Sequence, residues 1–541
     1  MAFVLNAVIL GILAYCVRWA ISRIQENKKT QAIIKNLGCL SPPLLENQRP
    51  LGVDRLEQIF RADNESRLME LFLFHFRQTG YTLKQIFLLT PAYGTVDPAN
   101  LEAIMSTKFS DWGMGPRRAI SFPMFGEGIF IQDGEAWKHS RELLRPHFVH
   151  RQYEDLEVFR ESVDELLDAL PKEGGVVDLQ PLFFRLTLDT TTAFLFGQSV
   201  HSLKSPDSTN EQDFAGAFNA AQEYVVKRFR LLDLYWLIGG KKFTQACSKV
   251  HEFADQIIEH NLSLDSESGT DKKYDFLRSV DKSMHGDREL LRGQIVNILV
   301  AGRDTTACLL SWTFFLLVRH PKVLAKLQEE VALLGDASEL NRTELRNMKY
   351  LQNVLKESEF SWAKFKRLML KYILALRLYP SVPVNTRTSL NDTVLPTGGG
   401  PDRKSPIFIK KGTAVAYSVY TMHRRPDLYG MDAEIYRPER WDEPMPMNDK
   451  PTNQKWGYLP FNGGPRVCLG MDFALTEAAY TVVRILQKYP GVQLPANEKV
   501  ELTGVEKQTM TLVVSIKEGC NVHLQVQEDF NEHNNHNNTI A

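Results

Sequence analysis

Phe461-Asn-Gly-Gly-Pro-Arg-Val-Cys-Leu-Gly470 is the stretch that decides how this chain is read. Its spelling is F-x-x-G-x-R-x-C-x-G, centred on Cys468. The glycines and Pro465 predict a tight loop rather than a helix. A lone cysteine in such a loop is a candidate soft, anionic metal ligand. Arg466, two residues earlier, offers a cation to an anionic group. Leu475 to Leu486 reads as an amphipathic helix, and a helix N-terminus just after a cysteine stabilises its thiolate. An isolated cysteine is more often a buried structural residue. Five fixed residues in a ten-position register argue against that reading here.

The loop resembles the haem-binding signature of the cytochrome P450 superfamily. The resemblance implies haem b (iron-protoporphyrin IX) as cofactor, with Cys468 as the proximal ligand of its iron and Phe461 and Arg466 beside it. It also implies a mainly α (α+β) fold, a single haem domain with small β-sheets. A thiolate ligand pushes electron density onto iron and favours O–O cleavage.

Four further motifs follow in the order the resemblance expects. In Gly134-Glu-Ala-Trp137-Lys-His-Ser-Arg141 the Trp and Arg are four apart, hence on one helix face. Trp offers an N–H and Arg a planar fork. Alone, this would read as an ordinary helix with Trp in the core; the resemblance assigns Trp137 and Arg141 to a haem propionate. Ala301-Gly302-Arg303-Asp304-Thr305-Thr306 lies in a long apolar helical run from Glu289 to Leu334, broken at Pro321. Small residues and an acid–hydroxyl pair disfavour a helix interior, a cost that points to function. The resemblance makes Ala301 and Gly302 room for O2, Thr305 a hydrogen-bond donor to the oxygen being activated, and Asp304 a proton relay. Ala375-Leu-Arg377-Leu-Tyr-Pro380, running on to Arg387, and Tyr436-Arg-Pro-Glu-Arg440-Trp441 complete the set. The resemblance places Arg377 and Arg440 in a buried ion cluster and Arg387 on a propionate.

One departure stands out. The resemblance expects Glu three residues before Arg377, but position 374 is Leu. The nearest upstream candidate is Glu357, and residues 358–374 are either an insertion or a retained intron. Codons for Ser358-Glu359 can contain a GTGAG donor and those for Leu374-Ala375 a TTAG acceptor. Joining them restores Glu-Thr-Leu-Arg. The rival is a genuine insertion forming a basic amphipathic helix. On a continuous helix Glu357 and Arg377 would stand about 30 Å apart, so a true insertion must loop out or leave a buried arginine unpaired.

Working outward, Ala2 to Val17 carries no charge and one polar side chain, Asn6. With the basic residues that follow (Arg18, Arg23, Lys28, Lys29, Lys35) it predicts a single transmembrane signal anchor over residues 1–22 with the body in the cytosol. A cleaved signal would place the basic residues first and end in A-x-A. Residues 23–50 are expected as a basic, proline-containing linker, 51–528 as the haem domain and 529–541 as a disordered polar tail. The sequons at Asn64, Asn261, Asn341, Asn391 and Asn537 are then expected unmodified.

The chain's 541 residues would by length alone give roughly three or four domains. Without anchor, linker, suspect segment and tail, the remainder suits one haem domain. Lys+Arg 64 against Asp+Glu 65 gives a net charge of -1 and argues against a nucleic-acid partner. Six cysteines without a C-x-x-C pair exclude a disulfide scaffold and make a structural zinc unlike this chain. Phosphate-loop and nucleophile-elbow motifs are absent, and His251-Glu252 meets Asp255 where a zincin needs His. No G-x-G-x-x-G follows a strand, so electrons must come from another protein. Tyr153 to Leu170 has helical spacing, Ile129-Phe130-Ile131 reads as β-like, and 511–516 with 521–526 as a hairpin around Gly519. His201 to Asp213 and Asp265 to Lys273 read as polar loops.

Leu51-Gly-Val-Asp54, Thr95-Val-Asp-Pro98, the Trp137 helix and the Cys468 loop resemble the fungal branch that hydroxylates alkanes and fatty acids. The resemblance implies a monooxygenase of the endoplasmic reticulum membrane using O2 and electrons from NADPH-cytochrome P450 reductase. The expected reaction is hydroxylation of an unactivated C–H bond, terminal or near-terminal on a long-chain alkane or fatty acid. Its hydrophobic substrate is expected near Pro123–Ile129, Ile298–Thr305 and Val382–Val384. A tailoring monooxygenase acting on an alkyl polyketide or terpenoid is the alternative. A haem-thiolate isomerase or dehydratase, or an inactive product of intron retention, are the rivals from other classes.

Overall fold

The structure is a computed structural model that describes residues 2–87, 90–148, 156–204, 209–263, 276–284, 286–335, 340–355, 375–500 and 506–526. Its centre is the helix Arg288–Arg319. The Asp287 carboxylate caps it, accepting the Leu290 N–H at 3.1 Å. From Leu291 onward this helix is buried on almost every face, as an apolar helix at a domain centre must be. Pro321 opens the next helix, Pro321–Ala332, after a 111° bend. The break expected at this proline is where the sequence put it.

Helices wrap this axis. The threonine-rich helix Leu179–Phe196 is capped by Asp178 and ends at Gly197. It packs along the central helix, and the Thr187 hydroxyl donates to the Arg303 carbonyl at 2.6 Å. Thr209–Leu231 and Lys241–Ser263 form an antiparallel pair across another face. Met471–Lys488 closes the side behind Cys468. Trp312 of the central helix stacks on Tyr379 at 3.8 Å and 3°, both fully buried. Each such side chain contributes about 1.5–3 kcal/mol by leaving water.

The sheets are small and peripheral. Strands Thr82–Phe87, Thr90–Thr95, Ala414–Ser418, Val384–Ser389 and Trp112–Gly113 lie in that order in a mixed sheet. Three two-stranded sheets complete the count among the described residues. This is the mainly helical fold expected.

Several local expectations differ. Ile129-Phe130-Ile131 is a turn, not a strand, because the central helix satisfies its amides. Gln294 accepts from Ile129 at 3.3 Å and Asn297 from Phe130 at 3.0 Å. The strands near Gly519 do not pair with each other. Val514–Ile516 pairs with Gln508–Met510, and Asn521–Leu524 with Gly175–Asp178. Asp178 draws the second strand away by accepting the Cys520 N–H at 2.7 Å. The loop expected from His201 gives way to helix at Thr209. The N-terminal helix runs from Ala2 to Asn36, so the expected linker begins helical. Among the described residues no single helix is long and apolar enough to cross a membrane. Glu357 and the segments 265–273, 358–374 and 529–541 lie outside the described residues.

Candidate haem site

The loop before Cys468 is pinned at successive points. Tyr429 donates its hydroxyl to the Gly457 carbonyl at 2.9 Å. Tyr417 donates to Asn462 Oδ1 at 3.1 Å, and Asn462 Nδ2 donates to the Arg466 carbonyl at 3.2 Å. Gly464 has φ +64°, and a Cβ there would sit 1.8 Å from the Met105 carbonyl oxygen. Only glycine fits that approach. The Cys468 N–H then donates to the Phe461 carbonyl at 3.0 Å, closing the turn.

Cys468 is the one free thiol among the described residues that is exposed; Cys39, Cys247, Cys308 and Cys520 are buried. Yet the chain crowds it closely enough that burial pushes its thiol up, against the Gly470 N–H and the Arg141 charge, which pull it down. A group that is both reachable and closely surrounded lines a hollow. The helix expected over Leu475–Leu486 spans Met471–Lys488 and so begins only three residues on.

Guanidiniums gather at this hollow. Arg466 lies 4.4 Å over the Trp137 ring and donates to Asp133 Oδ1 at 2.8 Å and to the Gln132 carbonyl at 2.9 Å. Arg141 sits 5.9 Å from the same ring and donates to the Val467 carbonyl at 2.9 Å. Arg387 donates to the Thr386 carbonyl at 2.8 Å and to Asn385 Oδ1 at 3.2 Å; Arg117 donates to the same Asn385 oxygen. Burial and mutual repulsion hold Arg466 down to about 9 and Arg117 down to about 10. Asp133 is the carboxylate that ion-pairs with this group. Arg117 Nε is buried without a partner. Four crowded cations with so little negative charge are costly as they stand. They fit an acceptor bearing carboxylates, and haem b, with two propionates beside an iron that takes a thiolate, matches both halves of the site.

In the middle of the central helix, Ala301, Gly302 and Thr305 are partly exposed, beside buried Arg303, Asp304 and Thr306. The Thr305 hydroxyl donates to the Ala301 carbonyl at 2.7 Å. Asp304 is 2% exposed; Arg303 donates to it at 2.8 Å and Gln222 reaches it from Thr209–Leu231. Burial raises its pKa, against Arg303 and Gln222. Gly302 also meets a packing need. A Cβ there would meet Thr191 Oγ1 at 2.3 Å, so its smallness admits the neighbouring helix.

Of the expected residues, Cys468, Phe461, Arg466, Trp137, Arg141 and Arg387 lie together, while Ala301 and Thr305 lie on the central helix. Of the segments expected around the substrate, Pro123–Ile129 meets the central helix through Ile129, whose N–H donates to Gln294; Ser381, just before Val382–Val384, donates its hydroxyl to the Thr305 carbonyl at 2.8 Å. Sequence reasoning missed Arg117, Asn385, Asp133 and Gln222. Arg117-Arg118 carries no spacing that tells which guanidinium turns inward, and Asp133 stood unassigned beside a recognised motif.

The cytochrome P450 family model matches residues 76–512. A cytochrome P450 of Arthroderma benhamiae is 43% identical over 92% of this chain and 95% of its own length. Cytochrome P450 52A5 of Candida maltosa is 43% identical over 80% of each chain, and cytochrome P450 52A12 of Debaryomyces hansenii 40% identical over 86% and 89%. The crystal structure of the cytochrome P450DA heme domain superposes with a TM-score of 0.71 at 21% identity, covering 90% of this chain and 98% of that one. The cysteine loop, the cations around it and these relatives lead to one conclusion: this chain belongs to the cytochrome P450 family and is a haem-dependent monooxygenase.

Proposed function

We propose that this monooxygenase hydroxylates an unactivated C–H bond at or near the end of a long-chain alkane or fatty acid. Cys468 would hold the iron, and Arg117, Arg141, Trp137, Arg387 and Arg466 the propionates. The haem supplies oxygen activation when bound. The chain's own residues position and protonate. Thr305, whose hydroxyl now donates to the Ala301 carbonyl, would turn to hold a proton for the reaction. Asp304, kept from solvent, passes protons once Arg303 and Gln222 let go. Val300 and Ile298 help exclude water, both being buried and apolar. The observation that carries the reading is the thiol–arginine pairing at one hollow. The substrate class rests on the resemblance to fungal alkane and fatty-acid hydroxylases and on the similarity to the Candida and Debaryomyces relatives. Incubation with reductase, NADPH and a panel of alkanes, fatty acids, alkyl polyketides and terpenoids tests it. Terminal or near-terminal hydroxylation of the aliphatic chains supports the proposal. Turnover of the polyketide or terpenoid members alone would overturn it.

Residues 1–22 are proposed as the anchor in the endoplasmic reticulum membrane, supported by the uncharged run Ala2 to Val17. Deleting them should release the protein from microsomes at alkaline pH; glycan at Asn64 or Asn341 would contradict the cytosolic body. Residues 358–374 are proposed as a retained intron. One feature supports this: the helices Lys349–Leu355 and Ala375–Leu378 pack together at the two ends of the suspect stretch. Transcripts keeping all seventeen codons as the main form would contradict it.

A further inference from the structure

His423 is fully buried, and its ring spans two backbone segments. Nε2 accepts the Leu459 N–H at 3.0 Å, and Nδ1 lies 3.2 Å from the Arg377 carbonyl oxygen. An amide can only donate and a carbonyl only accept. The ring is therefore neutral with its proton on Nδ1. Burial, with Arg377 and Arg424 close by, holds it well below the ordinary imidazole range, in agreement with that tautomer. Arg377 returns the contact, donating to the His423 carbonyl at 2.9 Å. The ring stacks on Tyr458 at 4.6 Å and meets Tyr429 edge-on at 6.1 Å.

Leu459 opens the cysteine loop. Its carbonyl accepts the Asn462 N–H at 3.2 Å, and the Phe461 carbonyl accepts that of Cys468 at 3.0 Å. One imidazole therefore stands between the short helix bearing Arg377 and the first turn of the ligand loop.

We infer that His423 is a positioning residue for the cysteine ligand: by tying the Arg377 carbonyl to the Leu459 N–H it fixes where the loop carrying Cys468 begins. A purely packing role would need an aromatic ring but neither nitrogen. The proposal needs both nitrogens, and the one facing Leu459 matters most, since that end moves the thiolate.

Three variants of the full-length holoenzyme separate these demands. His423→Phe keeps a ring and loses both bonds. His423→Asn places an amide where Nδ1 was and loses Leu459. His423→Gln reaches to where Nε2 was and keeps an acceptor for Leu459. Three readouts apply: the reduced carbon-monoxide difference spectrum, hydrogen exchange at the Leu459 amide, and the thermal midpoint. His423→Asn and His423→Phe should move a large part of the haem from the thiolate-ligated to the neutral-ligand spectrum. They should also speed Leu459 exchange about tenfold or more. His423→Gln should keep most of the thiolate form and slow exchange. If His423→Phe fails to fold, the Asn–Gln pair decides alone. Equal spectra and equal Leu459 exchange in those two overturn the proposal. So does a lowered thermal midpoint in every variant with an unchanged spectrum, because that outcome belongs to packing.

Discussion

Two groups of arginines lie near the cysteine loop, one partly exposed and one sealed, and they are built differently. Around Cys468, Arg117, Arg141, Arg387 and Arg466 crowd one another, with Asp133 as their ion-pair partner and Arg117 Nε unused. That group borders an exposed thiol. Behind the loop, Arg377 and Arg440 are sealed at 0% and 1% exposure. Arg377 donates to the carbonyls of His423, Ala433 and Ile435, while Arg440 pairs with Asp432 and donates to the Tyr429 carbonyl at 2.6 Å. The rear group spends most of its donors on the chain itself, with Arg377 Nε and Arg440 Nε left over, and behaves as a joint. The front group sets its charge beside a reachable thiol and behaves as a binding site.

The comparison breaks most visibly at Arg377. Arg377→Leu strands the buried carbonyls of His423 and Ala433 and should cost about 3–5 kcal/mol, read as a fall in the denaturation midpoint. A loss below about 1 kcal/mol would mean the rear group is no joint. Glu477 of the helix Met471–Lys488 comes next. It is fully buried beside Thr190 and Thr306, with burial pushing its carboxyl up from 4.5 to about 8. A raised carboxyl pKa gives stability that is full below pH 4.5 and is lost as pH rises towards 8. Glu477→Gln should remove that slope and leave the variant about 2–4 kcal/mol more stable than wild type above pH 8, measured by urea unfolding across pH. A parallel pH dependence in both proteins would contradict the unpaired carboxyl.

Smaller effects sharpen the front group. Arg466→Leu should weaken haem retention by about 10–100-fold, a loss of roughly 1.5–3 kcal/mol for charge-assisted bonds. It should leave the haem-free chain no less stable, since it relieves repulsion. Equal destabilisation of both forms would make Arg466 another joint. The smallest effect is expected at Gly302→Ala. The added methyl meets Thr191 and should cost about 1–3 kcal/mol. Thr191→Ala in the same chain should restore most of it. No rescue would mean that Gly302 serves the hollow rather than the helix contact.

These contrasts show what could be seen in the chain beforehand. The Cys468 loop, the Trp137–Arg141 pair and the central helix were legible because each is written in adjacent residues with helical or turn spacing. Arg117 and Asn385 were not, since two arginines in a row say nothing about which side chain the fold will turn inward. At Gly302 the sequence shows that the residue is small, but not that Thr191 of the neighbouring helix also needs the space. The strands near Gly519 paired elsewhere because Asp178, more than three hundred residues upstream, holds the Cys520 amide. His423 carried no motif at all; only its two backbone partners reveal it.

The most direct test of the account is the reduced carbon-monoxide difference spectrum of the full-length protein beside Cys468→Ser. The account predicts the red-shifted Soret band of thiolate ligation in the wild type and its complete loss in the variant. A wild-type protein that holds haem without that band, or a variant that keeps it, would contradict Cys468 as the ligand.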